Sequence, residues 1–144
     1  MAFLPVCRAD MQSRGWDELD FLFVSGDAYV DHPSFGTAII CNLLAKNGYK
    51  VGVCAIPDIN EADSLKIMGR PSLGVLVSSG VIDSMVNNYT ASKKPRSDDR
   101  YYPENYKSKR PDRCLIKYCN MVREQFGEIP LIIGGVEAGL RRFA

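Results

Sequence analysis

Residues 19–36 read LDFLFVSGDAYVDHPSFG, and this stretch decides the fold. Leu19 to Ser25 is short and mostly apolar and ends at Gly26, as suits a strand buried on both faces. The loop Gly26-Asp27-Ala28-Tyr29-Val30-Asp31-His32-Pro33 follows. Ser34 stands where an N-cap belongs, and Phe35, Ala38, Ile39 and Leu43 repeat at helical spacing. Gly48 after Asn47 closes that helix in the manner of a C′ glycine. A buried strand leading through a loop into a helix is the opening of a βαβ unit.

The same alternation continues down the chain. Lys50 to Ile56 reads as a second strand, and Asn60 opens a second helix with Glu61 and Asp63 in its first turn, ending at Gly69. Leu73 to Val77 is a third buried strand running into Ser78-Ser79-Gly80. Tyr89 to Arg110 is polar and without a period, a long excursion. After Pro111 and Asp112 a helix places Leu115, Cys119, Val122 and Phe126 on one stripe and ends at Gly127. Pro130 then opens a fourth strand, Leu131-Ile132-Ile133, which runs into Gly134-Gly135 and the start of another helix. The expected fold is α/β and Rossmann-like: an open parallel sheet of about four strands, flavodoxin- or cobalamin-binding-like, with helices on both faces. The expected strand order is 2-1-3-4, with residues 1–144 forming one domain.

Composition narrows the function classes. With 46% hydrophobic and 24% charged residues the chain lies in the ordinary globular range, and its net charge of +1 favours neither wholesale nucleic-acid binding nor an acidic partner. No run approaches the ~18 apolar residues of a membrane span. Met1 to Pro5 is soon followed by Arg8 and Asp10, which does not suit a signal peptide, so a cytoplasmic protein is expected. Cysteines 7, 41, 54, 114 and 119 include no C-x-x-C pair. Cys114 and Cys119 lie about 140° apart around a helix, so no metal site is expected in this chain.

In open parallel sheets, ligands bind beyond the carboxyl ends of the strands, where the strand order reverses. Three loops build that edge here: Gly26 to Ser34, Ser78 to Asp83, and Gly134 to Glu137. The first is long for a βα loop and gathers Gly26, Asp27, Tyr29, Asp31 and His32, with Ser34 and Gly36 at the helix start. Ser79, Asp83, Gly134, Gly135 and Glu137 complete the candidate ligand-binding set, with no catalytic residue among them. The run Gly134-Gly135-Val136-Glu137-Ala138-Gly139 is not a G-x-G-x-x-G fingerprint, and a packing turn with Glu137 and Arg141 paired at i, i+4 is expected there. Residues 93 to 110 hold seven basic residues (Lys93, Lys94, Arg96, Arg100, Lys107, Lys109, Arg110) against Asp98, Asp99 and Glu104, with Tyr101, Tyr102 and Tyr106 interleaved. Bases beside aromatics give an alternative reading, an RNA-binding module.

The segment Val24 to Gly36, VSGDAYVDHPSFG, resembles the signature region of the YgiQ-type radical SAM proteins. So do DSMVNNYTA at 83–91, KRPDR at 109–113 and GGVEAGLRR at 134–142, in the family's order and across nearly the whole chain. The resemblance implies an N-terminal α/β domain preceding a radical SAM barrel, its intramolecular partner, with substrate unspecified. It also implies a 4Fe-4S cluster held by a C-x-x-x-C-x-x-C motif, with S-adenosylmethionine on the cluster's open iron. No such motif occurs in the 144 residues, which stop at Phe143-Ala144 at the start of a helix, so the chain alone is expected to be inactive. The domain also resembles the cobalamin-binding domains that precede some radical SAM barrels. Their pattern is D-x-H-x-x-G, whereas here Asp31 and His32 are adjacent and His32 is four residues before Gly36. The functional expectation is an accessory domain shaping substrate or interdomain binding. The alternatives are a free-standing cobalamin or nucleotide module and the RNA module.

Overall fold

A computed structural model describes residues 3–97 and 110–142. Four parallel strands, β1 (Phe21–Ser25), β2 (Val51–Ala55), β3 (Gly74–Ser78) and β4 (Leu131–Gly134), form one sheet in the order β2-β1-β3-β4. The helices are α1 (Arg8–Ser13), α2 (Gly36–Lys46), α3 (Ser84–Asn88), α4 (Cys114–Phe126) and α5 (Val136–Arg142). Fold class and strand order are those expected from the sequence. β1 lies at the centre, in register with β2 through Phe21 and Val51 and with β3 through Phe21 and Gly74. Its apolar run is therefore buried on both sides.

Each face of the sheet has its own core. Leu22 and Val24 of β1 and Val75 and Val77 of β3 pack beneath Met11 of α1, Leu65, Met68, and the Leu115, Tyr118 and Val122 stripe of α4. On the opposite face Phe23, Val51 and Val53 pack with Leu4 and with Cys41 of α2. Gly48 and Gly127 close α2 and α4 at positive φ, +89° and +69°, conformations that only glycine adopts without strain.

Three sequence expectations are corrected. Ser34 does not cap α2: Phe35, whose side chain has no acceptor, holds the N-cap position, and Ser34 lies one residue earlier in a turn where its N–H donates to His32 Nδ1. The buried face of α2 is Ala38 and Cys41, while Ile39 and Leu43 stand more than half exposed. The second crossover is not an α-helix. The Asp58 carboxylate accepts from Asn60 N, and Glu61, Ser64, Lys66 and Gly69 each donate to the carbonyl three residues back. An Asx turn competes with the helical ladder, leaving a string of tight turns and a 3₁₀ turn, Lys66–Met68.

Burial pushes the Cys41 thiol from its ordinary value near 9 up to about 12. Below pH 9 this thiol is neutral in folded and unfolded chains alike, and its burial adds its full stability. Between about 9 and 12 only the unfolded chain ionises, so stability falls as pH rises. Urea-unfolding free energies measured across that window are expected to decline less steeply in Cys41→Ala, by about 1.4 kcal/mol per pH unit. Parallel slopes for the two proteins would show that Cys41 ionises freely in the fold.

Candidate functional site

The end of β1 is crowded. The Gly26 N–H donates to Ser78 O across to β3, and a Cβ on Gly26 would lie 2.1 Å from the carbonyl oxygen of buried Ser79. Gly80, at φ +113°, stands so close to Asp27 that a Cβ would fall 2.2 Å from its carboxylate. Only glycine fits at either point. This close approach delivers the Asp27 carboxylate into the gap between β1 and β3, buried, where it accepts from Val81 N at 2.7 Å. The buried Arg110 guanidinium closes onto the other Asp27 oxygen and donates from Nε to Gly26 O at 3.0 Å. Arg110 thereby pins one end of the polar excursion to the carboxyl edge of the sheet. The two ends of the excursion also meet: Asn88 Nδ2 donates to Arg110 O and to Asp112, and the Tyr89 hydroxyl donates to Asp112.

A second buried network lies behind β3 and β4. The Asp83 carboxylate caps α3, accepting from Met85 N and Val86 N. Glu137 is fully buried and accepts from Ser84 N at 2.8 Å, from the Ser84 hydroxyl, and from Leu115 N at 2.6 Å. Arg141 lies 3.3 Å from Asp83 and 3.8 Å from Glu137, the i, i+4 pairing expected from the sequence.

Between the loops sits a cavity of about 300 Å³ with mostly apolar walls. Its floor is Phe23, Leu76 and Ile132 of the sheet, Ile40 of α2 forms one side, and Val81 and Val136 the other. Asp27, Gly36, Gly134 and Gly135 of the sequence-derived set line it. The remaining members do not. Tyr29 turns to the outer side of β2, its hydroxyl accepting from Leu4 N, and burial pushes its pKa above the ordinary tyrosine value. Asp31 accepts from Asn42 of α2, and His32 and Ser34 are exposed, joined by their local turn. Gly26, Ser79, Asp83 and Glu137 lie behind the cavity in the packing that supports it. Sequence reasoning missed the apolar walls. The signal was α2 itself, apolar on nearly every side with Ile39, Ile40 and Leu43 exposed, the pattern of a helix that is covered on both sides. Lys93, Lys94 and Arg96 are exposed, while Tyr101, Tyr102, Tyr106, Arg100, Lys107 and Lys109 of the basic stretch lie outside the described residues. Among the described residues no group of three or more His, Cys, Asp or Glu side chains is placed to hold a metal, and no helix is long and apolar enough to cross a membrane.

Residues 3–144 match the family model described as Radical SAM N-terminal. The chain is 54% identical over 142 residues to a UPF0313 protein of Clostridium perfringens and 56% identical over 144 residues to one of Clostridium botulinum. These matches cover 99% and 100% of the chain and 22% of each relative. The chain thus spans about a fifth of the length of the curated relatives it matches. No solved structure matches it.

The hydrogen bonds rank the polar residues by structural weight. Glu137→Gln replaces an acceptor with a donor that faces buried N–H groups, and a loss of about 3 kcal/mol is expected in urea unfolding. Asp31→Ala removes the half-buried bond to Asn42 and a contact with the Tyr29 hydroxyl, and is expected to lower stability by about 1 kcal/mol. Equal losses for the two variants would contradict the ranking.

Proposed function

The chain belongs to the radical SAM N-terminal family, and on that premise we propose that it is the accessory α/β module of a radical SAM enzyme, its carboxyl sheet edge shaping the face that meets substrate or the catalytic domain. The observation carrying this reading is the apolar cavity at the point where the strand order reverses. Ligands of open α/β sheets gather there, and pockets begin at about 300 Å³. The charged groups beside it are already matched: Asp27 by Arg110, and Asp83 and Glu137 by Arg141 and by helix N–H groups. What the edge offers a ligand or a neighbouring domain is therefore shape and apolar surface, with little free charge.

The family implies a 4Fe-4S cluster and S-adenosylmethionine for the full-length protein, where the cluster would supply one-electron reduction of the bound cofactor. The thiols of this chain do not fit such a cluster. Cys41 belongs to the α2 face, and Cys54, Cys114 and Cys119 to the α4 face, so the sheet stands between them. Burial also pushes the Cys41 and Cys54 thiols up to about 12, far from the thiolate a metal requires. The cluster ligands are assigned to the part of the longer protein outside these residues. Five cysteines kept as thiols suit the reducing cytoplasm.

Anaerobic reconstitution with iron and sulfide tests the reading. The full-length protein is expected to take up about four irons per chain and, with dithionite and S-adenosylmethionine, to release 5′-deoxyadenosine. The 144-residue chain is expected to do neither. Ala28→Trp, which fills the cavity, should lower 5′-deoxyadenosine release several-fold in the full-length protein at unchanged iron content. A full-length protein without a cluster would sink the enzyme class, and an unaffected Ala28→Trp would remove the cavity from the reading.

A further inference from the structure

The two edges of the sheet are finished differently. At β2 the chain covers its own edge: Val53 N donates to Pro5 O, and Leu4 is buried against that strand. At β4 nothing comparable is present among the described residues, and β4 is hydrogen-bonded to β3 alone. Val75 N donates to Pro130 O. By the alternation of a parallel ladder, the backbone groups of Ile132 then face β3, while those of Leu131 and Ile133 face away from it. Natural edge strands are protected by charge, proline or a bulge. The four residues Leu131, Ile132, Ile133 and Gly134 carry no charge, and Ile132 and Ile133, on opposite faces, stand 53% and 51% exposed. Apolar side chains on both faces are the mark of an interior strand of a parallel sheet.

The crossovers say on which side the next strand falls. The step from β1 to β2 runs through α2, on the face of Phe23 and Val53. The steps from β2 to β3 and from β3 to β4 run in the opposite direction, through Leu65–Met68 and α4, on the other face. This is what right-handed crossovers require: direction along the sheet fixes the face. α5 packs Ala138 into the α4 face, and Glu137 ties it to the start of α4. A right-handed step through α5 therefore lands beyond β4, on its open edge. A groove of about 740 Å³ lined by Ile116, Cys119, Ile133 and Gly139 flanks that edge between α4 and α5.

We propose that the segment following α5 in the longer protein adds a fifth parallel strand to the outer edge of β4. The occupant is the protein's own chain, because the relatives extend well beyond the 22% that is matched here and the matched family is an N-terminal one. The inference stands on the sheet and its handedness and is independent of what the cavity does. Amide hydrogen exchange of the full-length protein tests it. Leu131 and Ile133 are expected to exchange about 100-fold or more slowly than exposed amides, as is Ile132, which faces β3. The protection should not change when the protein is diluted 100-fold. Fast exchange at Leu131 and Ile133 beside a slow Ile132 would overturn the proposal. Protection lost on dilution would equally overturn it, since a second copy would then be the occupant. Loss of cluster formation without change at these amides would count against the proposed enzyme class alone.

Discussion

A single carboxylate holds the carboxyl edge of this domain together. Glu137 enters the protein at the start of α5 and meets Ser84 at the start of α3 and Leu115 at the start of α4. Three helix N-termini thus converge on one buried anion. Helix N-termini carry unsatisfied N–H groups and a partial positive charge, so each gains from the same carboxylate. In return they supply the donors without which a buried charge would be strongly unfavourable. Neither α3, five residues long, nor α5, seven, is long enough to be stable by local propensity. Their positions follow from this shared contact, and with them the loops after β3 and β4 that border the cavity.

The opposite half of the edge obeys the same logic with a different partner. Gly26 and Gly80 bring β1 and the loop after β3 too close for any other residue, and the space left admits one carboxylate, that of Asp27. Its charge is met by Arg110, which arrives from 83 positions along the chain. The edge therefore contains several buried charges and yet presents little of them outward. The N-termini of α3 and α4 already hold Asp83 and Glu137, whereas that of α2, beside the cavity, has no side-chain cap. Architecture alone does not carry function; the groups at the edge decide it.

The sheet was legible in the sequence because buried parallel strands have an unambiguous pattern. LDFLFVS, VGVCA and LGVLV are apolar without alternation, and a sheet of such strands has nearly one topology open to it. The helices were less legible where polar side chains compete for the backbone. Asp58 diverts the second crossover into turns, and the turn that joins Ser34 N–H to the His32 ring leaves Phe35, not Ser34, at the N-cap of α2. The candidate site was half legible. Loop length and charge led to Asp27, Gly36, Gly134 and Gly135, which line the cavity, and also to Asp83 and Glu137, which serve the packing behind it. Nothing local distinguishes a carboxylate aimed at a ligand from one aimed at another helix. The partner that decides is 53 residues away for Ser84 and Glu137.

The exposed residues complete this picture from the other side. Most polar groups at the carboxyl edge find their partners inside the domain, the buried Ser79 hydroxyl excepted, whereas several large apolar groups do not: Ile132 and Ile133 on β4, Val136 and Leu140 on α5, Ile39, Ile40 and Leu43 on α2. Single exposed apolar residues are ordinary, but contiguous ones mark surfaces that something covers. Those on α2 and β4 lie on either side of the cavity, with Ile40 and Ile132 in its walls. One covering element could therefore bury both sets and close the cavity at once. Strand edge, apolar helix face and cavity are then neighbouring parts of one apolar surface. The charge networks close among the described residues, while these apolar groups stay at the surface, where a covering element would gain most by burying them.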